Sequence, residues 1–323
     1  MVLFFKFIKC IVYLIIIFTF GSCTKLWLGK PELGSKSLPI KLYIDSTYSN
    51  IHANSSRSEI QNCLENKTNY RIEIHFASDD KAVVSALARG QAQYGVISAM
   101  AYMNALAKTP LKSLLIFSKN GSPSTRAVII GHTNIWKSYF QKSGLALNAF
   151  NLNNEKIIQY FNKSTVAYTA PDNVIGFLVP RLYFLQRNIF PNAAIFVGNF
   201  SSVLQALDQN LAEVGVVSEN FLDDKFSNTT PIQLGTLFSD YIVLGISQSL
   251  PDSIVVETLK NNPLATTAVI KGLETCAQVK TSDFKKLFDA DGVQWSQEKL
   301  FSFAKELHNF QQETIRILTP KKL

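Results

Sequence analysis

Few residues of this chain are of types and spacings that could do chemistry. "TAPDNVIGFLVPRLYFLQ", Thr169 to Gln186, follows a strand-like run and opens a helix. A helix start, with its unpaired backbone N–H groups, is a ready-made anion site. This one carries Asp172 where an anion would sit, and apolar Val174 and Ile175 where hydroxyl donors would help. An Asp at the N-cap stabilises a helix by about 1 kcal/mol, so Asp172 is expected to cap this one rather than meet a ligand. Asp79 and Asp80 are adjacent in sequence, unlike a spaced acid/base pair. His52, His75, His132 and His308 are scattered, without the spacing that puts two metal ligands on one helix face. There is no G-x-S-x-G elbow, Walker loop, H-E-x-x-H or cysteine with a matched histidine. Catalysis, a metal and any other cofactor are therefore not expected.

The elements that position these residues are bounded by length and composition. The 323 residues exceed the usual span of one core and point to two α/β domains. With 47% hydrophobic and 17% charged residues, the chain buries enough apolar surface to offset ordering entropy. At the N-terminus, Lys6 and Lys9 precede an apolar run, Ile11 to Phe18, and the small residues before Cys23. The uncharged gap from Lys9 to Lys25 is shorter than the roughly 18–20 residues of a spanning helix, so residues 1–22 read as an export signal. "FGSC", Phe20 to Cys23, resembles the bacterial lipobox, with Phe20 in place of Leu. That resemblance implies cleavage before a lipid-modified Cys23 and anchoring on the extracytoplasmic side of a bacterial membrane. The alternative is an uncleaved anchor ending in an ordinary cysteine.

Removing the signal deletes two lysines, so the formal charge falls from +8 to 8 − 2 = +6. Without a dense Lys/Arg run or an aromatic-basic motif, this is a mildly basic surface near anionic lipid and not a nucleic-acid site. Cys63 and Cys276 could pair in an oxidising compartment, although two buried free thiols are the more frequent outcome and the expectation here.

After a linker over residues 23–37, strands and helices alternate: "LPIKLYID", a polar helix from Ser56 to Asn66, "YRIEIHFAS", then "SDDKAVVSALARG" with Ser78 or Asp79 as cap and Gly90 as terminator. "QYGVISA", "MAYMNALAK" and "LKSLLIFSK" continue the pattern, which "STRAVIIGHT", "KSTVAYTA", "AAIFVGNF", "SSVLQALDQNL" and "EVGVVSE" repeat. The halves read as two α/β lobes without an internal repeat detectable by identity. "LFSDYIVLGISQSLP" carries the chain back as a strand, and "DSIVVETLKNN", "ATTAVIKGLETC" and the tail from Gln297 read as helices that pack on the first lobe or brace both. The expected division is 38–124 plus 239–323 for lobe 1 and 125–238 for lobe 2, with hinges at Ser118 to Thr125 and Ser239 to Tyr241.

"FASDDKAVVSALARGQAQYGVISAMAYMNALAK", "VAYTAPDNVIGFLVPRLYFLQRNI", "FVGNFSSVLQALDQNLAEVGVVSENFL" and "DYIVLGISQSLP" together resemble, in order, the phosphate/phosphite/phosphonate substrate-binding proteins of ABC transporters. The resemblance covers most of the mature chain. It implies the two-lobed α/β periplasmic-binding-protein fold, each lobe a mainly parallel sheet flanked by helices, joined by two crossover strands. It also implies a monomer that takes a small-molecule ligand in the inter-lobe cleft and presents it to a membrane permease. The departures fall on the ligand site. The family's Ser-Thr-Ser-Gly turn is Asn173-Val174-Ile175-Gly176 here, its Asp-Tyr is Asp79-Asp80, its His falls at Phe200, and its amine-pairing Asp falls at Ser218, beside Glu219. Phosphate oxygens need converging donors and no nearby acid. The expected ligand is thus less anionic, neutral with an apolar portion or bearing an amine. It is held by Tyr48, Asp80 and Tyr102 of the first lobe and Asn173, Phe200, Ser218 and Glu219 of the second. The other readings are a lipoprotein that reports its ligand to a membrane sensor and, furthest from the residues, an enzyme.

Overall fold

Apolar and polar residues alternate along the first strand, and Ile40, Leu42 and Ile44 are fully buried while Lys41 and Tyr43 are half-covered, so this strand needs elements on both faces. The computed structural model describes residues 32–45, 53–143, 155–226, 232–251 and 253–318. The first stretch runs β1 (Ile40–Asp45), α1 (Ala53–Thr68), β2 (Ile72–Ala77), α2 (Asp80–Ala88), β3 (Tyr94–Ser98), α3 (Ala99–Leu106) and β4 (Leu111–Ser118). The second runs β5 (Ser124–Thr125), β6 (Ala127–His132), α4 (Thr133–Ser143), α5 (Glu155–Lys163), β7 (Thr165–Tyr168), a π-turn (Val174–Leu178), α6 (Val179–Leu185), β8 (Ala193–Phe196), α7 (Phe200–Asp208), β9 (Val214–Ser218), α8 (Glu219–Phe226), β10 (Leu237–Phe238) and β11 (Tyr241–Ile246). The return runs β12 (Leu250–Pro251), β13 (Ser253–Thr258), α9 (Pro263–Val279), α10 (Thr281–Phe288), β14 (Gly292–Trp295), a 3₁₀ turn (Glu298–Phe301) and α11 (Ser302–Leu318).

Two six-stranded sheets result, ordered β14-β4-β13-β3-β1-β2 and β10-β11-β6-β9-β7-β8. Each holds a parallel triplet, β2-β1-β3 or β8-β7-β9, extended by antiparallel strands. The fourth strand of each sheet, β13 or β6, is the one that has just arrived from the other lobe. Between the sheets β5 pairs antiparallel with β12, Thr125 opposite Leu250, so the two crossings form a short ribbon.

The lobes share more than architecture. A Cβ on Gly95 would fall 2.6 Å from Val83 and 2.9 Å from Leu87, and one on Gly215 would fall 2.6 Å from Val203 and 3.0 Å from Leu207. Each pair differs by the same offset (215 − 95 = 120, 203 − 83 = 120), and the offset also relates the helix caps Asp79 and Asn199 and the strand ends Ser98 and Ser218. After α2 and α7 the chain turns through left-handed Gly90 and Asn210, again 120 apart. The internal repeat that sequence identity leaves hidden is thus an ungapped βαβα unit present once in each lobe.

Three expectations are corrected. "DSIVVETLKNN" is not a helix. Ser253, Ile254, Val255 and Val256 are buried in β13, which bonds to β3 on one side and β4 on the other. Consecutive β-branched residues lose χ1 freedom in a helix and suit a pleated surface, which is why the strand forms. The expected lobe boundary and hinge at residue 239 also fail, because β10 and β11 extend the second sheet and the return crossing follows them at 247–251. Finally, Cys63 of α1 and Cys276 of α9 form a disulfide across 213 residues of sequence, since these helices pack side by side and bring the two thiols together.

One apolar core runs beneath both lobes, joining Val83, Ile97 and Val256 with Trp136, Phe161 and Val216. Phe303 and Leu307 of α11 belong to it. That helix also accepts Gln186 Nε2 on Glu306 Oε1 at 2.6 Å and pairs His308 Nδ1 with Asn104 Oδ1 at 2.8 Å, so the tail braces both lobes.

Candidate ligand cleft

The carboxyl ends of the parallel strands carry the candidate residues, because each such end leads into a helix start. In the first lobe Asp79 caps α2, accepting Ala82 N–H at 2.8 Å. Asp80, half-buried in the first turn, turns to the end of β3 and accepts Ser98 Oγ–H at 2.5 Å and Ser98 N–H at 3.3 Å. Burial holds the Asp80 carboxyl above the usual carboxylate range; the charges of Asp45 and Asp79 push the same way, and the two Ser98 bonds oppose them. Ser98 Oγ also accepts Ala101 N–H at 3.2 Å, capping α3. Tyr102, expected to face ligand, is buried, with its ring 5.3 Å from that of Phe301. Tyr48 lies outside the described residues, as does Cys23.

In the second lobe the cap is one residue later than expected. Asn173, not Asp172, accepts Gly176 N–H through Oδ1 at 2.6 Å, and Asp172 is exposed. The turn it starts is a π-turn, whose Phe177 and Leu178 amides both donate to Asn173 O at 3.1 Å. Gly176 is required there, since a Cβ would sit 2.0 Å from Thr169 Oγ1. Phe200 starts α7 behind its cap Asn199, and its ring packs tilted against that of Phe221 with centroids 5.5 Å apart. Ser218 Oγ accepts Phe221 N–H at 3.1 Å.

Glu219 is engaged by a residue that the sequence reading did not single out. Arg126, between the crossover ribbon and β6, grips it with both arms of its guanidinium, Nε to Oε2 at 2.8 Å and Nη2 to Oε1. A lone arginine in "STRAVIIGHT" gives no sequence signal; only the register that sets Ala127 beside Ser218 brings it to Glu219. The bond to Glu219 raises the Arg126 pKa, and the acid is neutralised where a ligand amine would have met it.

The structure therefore brings together Asp80 with Ser98, and Ser218 and Phe200 around Phe221. No hydrogen bond, ion pair or ring contact joins candidates of the two lobes among the described residues. Five helix starts, at Ala82, Ala101, Gly176, Ser202 and Phe221, each spend one backbone donor on a side chain of their own. Such a set leaves fewer free donors to converge on a multiply charged anion.

A family model described as the periplasmic phosphonate substrate-binding protein of ABC transporters matches residues 42–272. The chain belongs to this family. Its members are extracytoplasmic substrate-binding proteins that work with a membrane permease, and among the described residues no helix is long and apolar enough to cross a membrane. No curated protein sequence matches the chain. Among solved structures, a Xanthomonas citri protein bound to ATP is 15% identical, with a TM-score of 0.61 over 87% of this chain and 99% of that one. A phosphonate-binding protein of Prochlorococcus marinus in complex with methylphosphonate is 12% identical, with a TM-score of 0.58 over 88% of this chain and all of that one (100%). The binding component of a Pseudomonas aeruginosa ABC phosphonate transporter is 16% identical, with a TM-score of 0.55 over 88% and 90%. At these identities the likeness establishes the two-lobed fold of the phosphonate-binding family and leaves the ligand to this chain's own residues.

Proposed function

We propose that this member of the phosphonate-binding family is the solute-binding lipoprotein of an ABC importer, anchored through Cys23, whose ligand joins an amine to an apolar portion. One observation carries the reading. Asp80 and Phe200 occupy the same position in the two copies of the repeat (200 − 80 = 120), so the cleft offers an acid on one wall and an aromatic ring on the other. Desolvation and two neighbouring acids make Asp80 a group that gains from a cation, and a ring at Phe200 gains from apolar contact. Ser218, whose Oγ accepts the Phe221 amide, still has its hydroxyl proton for the ligand. Asn173 gives its oxygen to Gly176 and presents its amide N–H groups. Glu219, neutralised by Arg126, sets the wall behind Ser218 rather than binding directly. We place the division between lobes at the β5–β12 ribbon, about which the walls close on ligand without chemical turnover.

Thermal unfolding of residues 24–323 against phosphate, phosphite, alkyl- and aminophosphonates, alkylamines and neutral metabolites tests this. A ligand at a hundred times its Kd adds about 2.7 kcal/mol of stability. Amines with an apolar chain should stabilise the protein, and Asp80→Ala and Phe200→Ala should each remove most of the shift. A shift from phosphate or simple phosphonates alone would overturn the ligand assignment.

A further inference from the structure

The candidate ligand residues sit at the carboxyl ends of the parallel strands, so the amino ends of those strands mark the opposite pole of the first lobe. Hydrogen bonds and register trace that pole as one row. Arg71 N–H donates to Gly34 O at 2.7 Å and Ile40 N–H to Arg71 O at 2.9 Å, joining the start of β2 to the incoming chain and to the start of β1. Gln93, just before β3, donates its N–H to Lys41 O at 3.1 Å and accepts Asn261 Nδ2 on its own carbonyl at 2.7 Å. Beside it the end of β13 pairs with the start of β4, Thr258 opposite Leu111. Helices α1, α2 and α3 run back from the cleft and end at this pole, where α9 begins.

The turn between β13 and α9, "LKNNPL" from Leu259 to Leu264, is held by Asn261 N–H donating to Thr258 O at 3.3 Å and by Asn262, which caps α9 by accepting Leu264 N–H at 2.9 Å. It leaves Leu259 65% and Leu264 75% exposed on either side of exposed Lys260. Around it stand Lys67 in the last turn of α1, Arg89 at the end of α2 and Lys112 on β4, all exposed. Among the described residues Lys67, Arg89 and Lys260 have no ion-pair partner. The acids of the same pole are engaged: Glu65 pairs with Arg71 at 2.8 Å, and buried Glu257, beneath Lys112, accepts the Thr266 hydroxyl at 2.6 Å. At the chain entry exposed Glu32 is offset by exposed Lys36. Open leucines ringed by unpaired cations compose a surface that lies on anionic lipid, the apolar chains entering the headgroup region and the cations meeting phosphate.

We propose that this pole of the first lobe seats on the anionic headgroups of the membrane, so that the cleft faces away from the lipid while the protein waits for ligand. The inference rests on the lipid-anchored reading above. Cys23 precedes Glu32 by nine residues (32 − 23 = 9), which span at most about 30 Å, so an anchor there holds the pole within reach of the headgroups. Attachment through a few solvated cations is screened by salt, which leaves the lobe free to lift from the surface.

The test replaces Leu264 with a photo-cross-linking phenylalanine analogue and, as a control, does the same at Leu211, which is 59% exposed in the other lobe. The full chain is expressed in bacterial cells, purified and reconstituted into vesicles of phosphatidylcholine alone or in equal parts with phosphatidylglycerol, and lipid adducts are counted by mass spectrometry. On the anionic vesicles position 264 should give at least about tenfold more adduct than position 211, and it should lose most of that yield on the neutral ones. Raising the salt from about 0.05 M to about 0.5 M, or Arg89→Glu combined with Lys260→Glu, should lower the yield from 264 by at least about threefold in protein whose unfolding stays cooperative. Equal yields from 264 and 211, or a yield from 264 indifferent to lipid charge and to the double variant, would overturn the proposal. The mass of the Cys23 peptide keeps the two readings apart. A lipid-bearing Cys23 with no adduct at 264 sinks the seat alone, whereas a Cys23 without lipid sinks the anchored reading and the resting orientation with it.

Discussion

Lys119 Nζ lies 2.7 Å from Asp224 Oδ2, tying the end of β4 in the first lobe to α8 in the second. Its other partner, Asp289 Oδ1 at 3.0 Å, follows α10 in the lysine's own lobe. Lys119 is buried; burial by itself would depress its ammonium, and the bonds to the two carboxylates more than offset this, so its pKa is raised. Arg126 and Glu219 make a second tie between the crossing and the same helix. Helix α8 is thus fastened near both ends, through Glu219 and Asp224, to the chain on either side of the first crossing.

Asp224→Asn should therefore loosen the lobes and Asp289→Asn should not, because only Asp224 reaches across. The carboxylates are largely solvated, so each change should cost only about 1 kcal/mol of stability. Distances between spin labels on the two lobes should broaden in ligand-free Asp224→Asn protein and keep the wild-type distribution in Asp289→Asn.

Asp80 imposes a pH dependence of known sign. Its folded-state pKa is raised above the ordinary carboxylate value, so between that value and the folded pKa the native state holds more protons than the unfolded chain. Stability from this group is highest below the unfolded pKa and falls as pH rises through the folded one. Denaturant titrations from pH 3.5 to 8, with those values as approximate working limits, should show this loss in the wild type and not in Asp80→Asn.

The disulfide closes a long loop between α1 and α9, and in the chain-entropy model such a closure contributes about 5 kcal/mol. Reduction, or Cys63→Ala with Cys276→Ala, should lower stability by up to that amount. Free-thiol titration of the denatured, unreduced protein should find neither cysteine reactive.

Gly95 and Gly215 admit no Cβ without displacing a valine and a leucine of the adjacent helix. Gly95→Ala and Gly215→Ala should each cost roughly 1–3 kcal/mol. Because the packing is repeated, the two penalties should be similar, as chemical denaturation of both variants would reveal.

Most of the element order was legible from periodicity, and Asp79 and Gly90 were legible as a helix start and stop because capping chemistry is local. The strand Ser253–Thr258 was not, since a short apolar run fits a buried strand or a helix equally and only its position between β3 and β4 decides. The cap at Asn173 was missed by one residue because the π-turn shifts the first helical amide. Arg126 and the Cys63–Cys276 pair depend on contacts across 93 and 213 residues of sequence, which no local pattern carries. Positions 80 and 200 were each singled out from the sequence, whereas their equivalence emerged only when Gly95 and Gly215 were seen against matching valines and leucines.

On the proposed reading, an acid and a ring at equivalent positions select an amine with an apolar portion. Calorimetric titration of wild type and Asp80→Ala with a hydrophobic alkylamine and with methylphosphonate tests it most directly. The wild type should bind the amine more tightly than the phosphonate, and Asp80→Ala should lose the amine by at least about tenfold, the 1.4 kcal/mol of a modest charge-assisted contact. Tighter binding of methylphosphonate by the wild type, with amine binding absent or indifferent to Asp80→Ala, would contradict it.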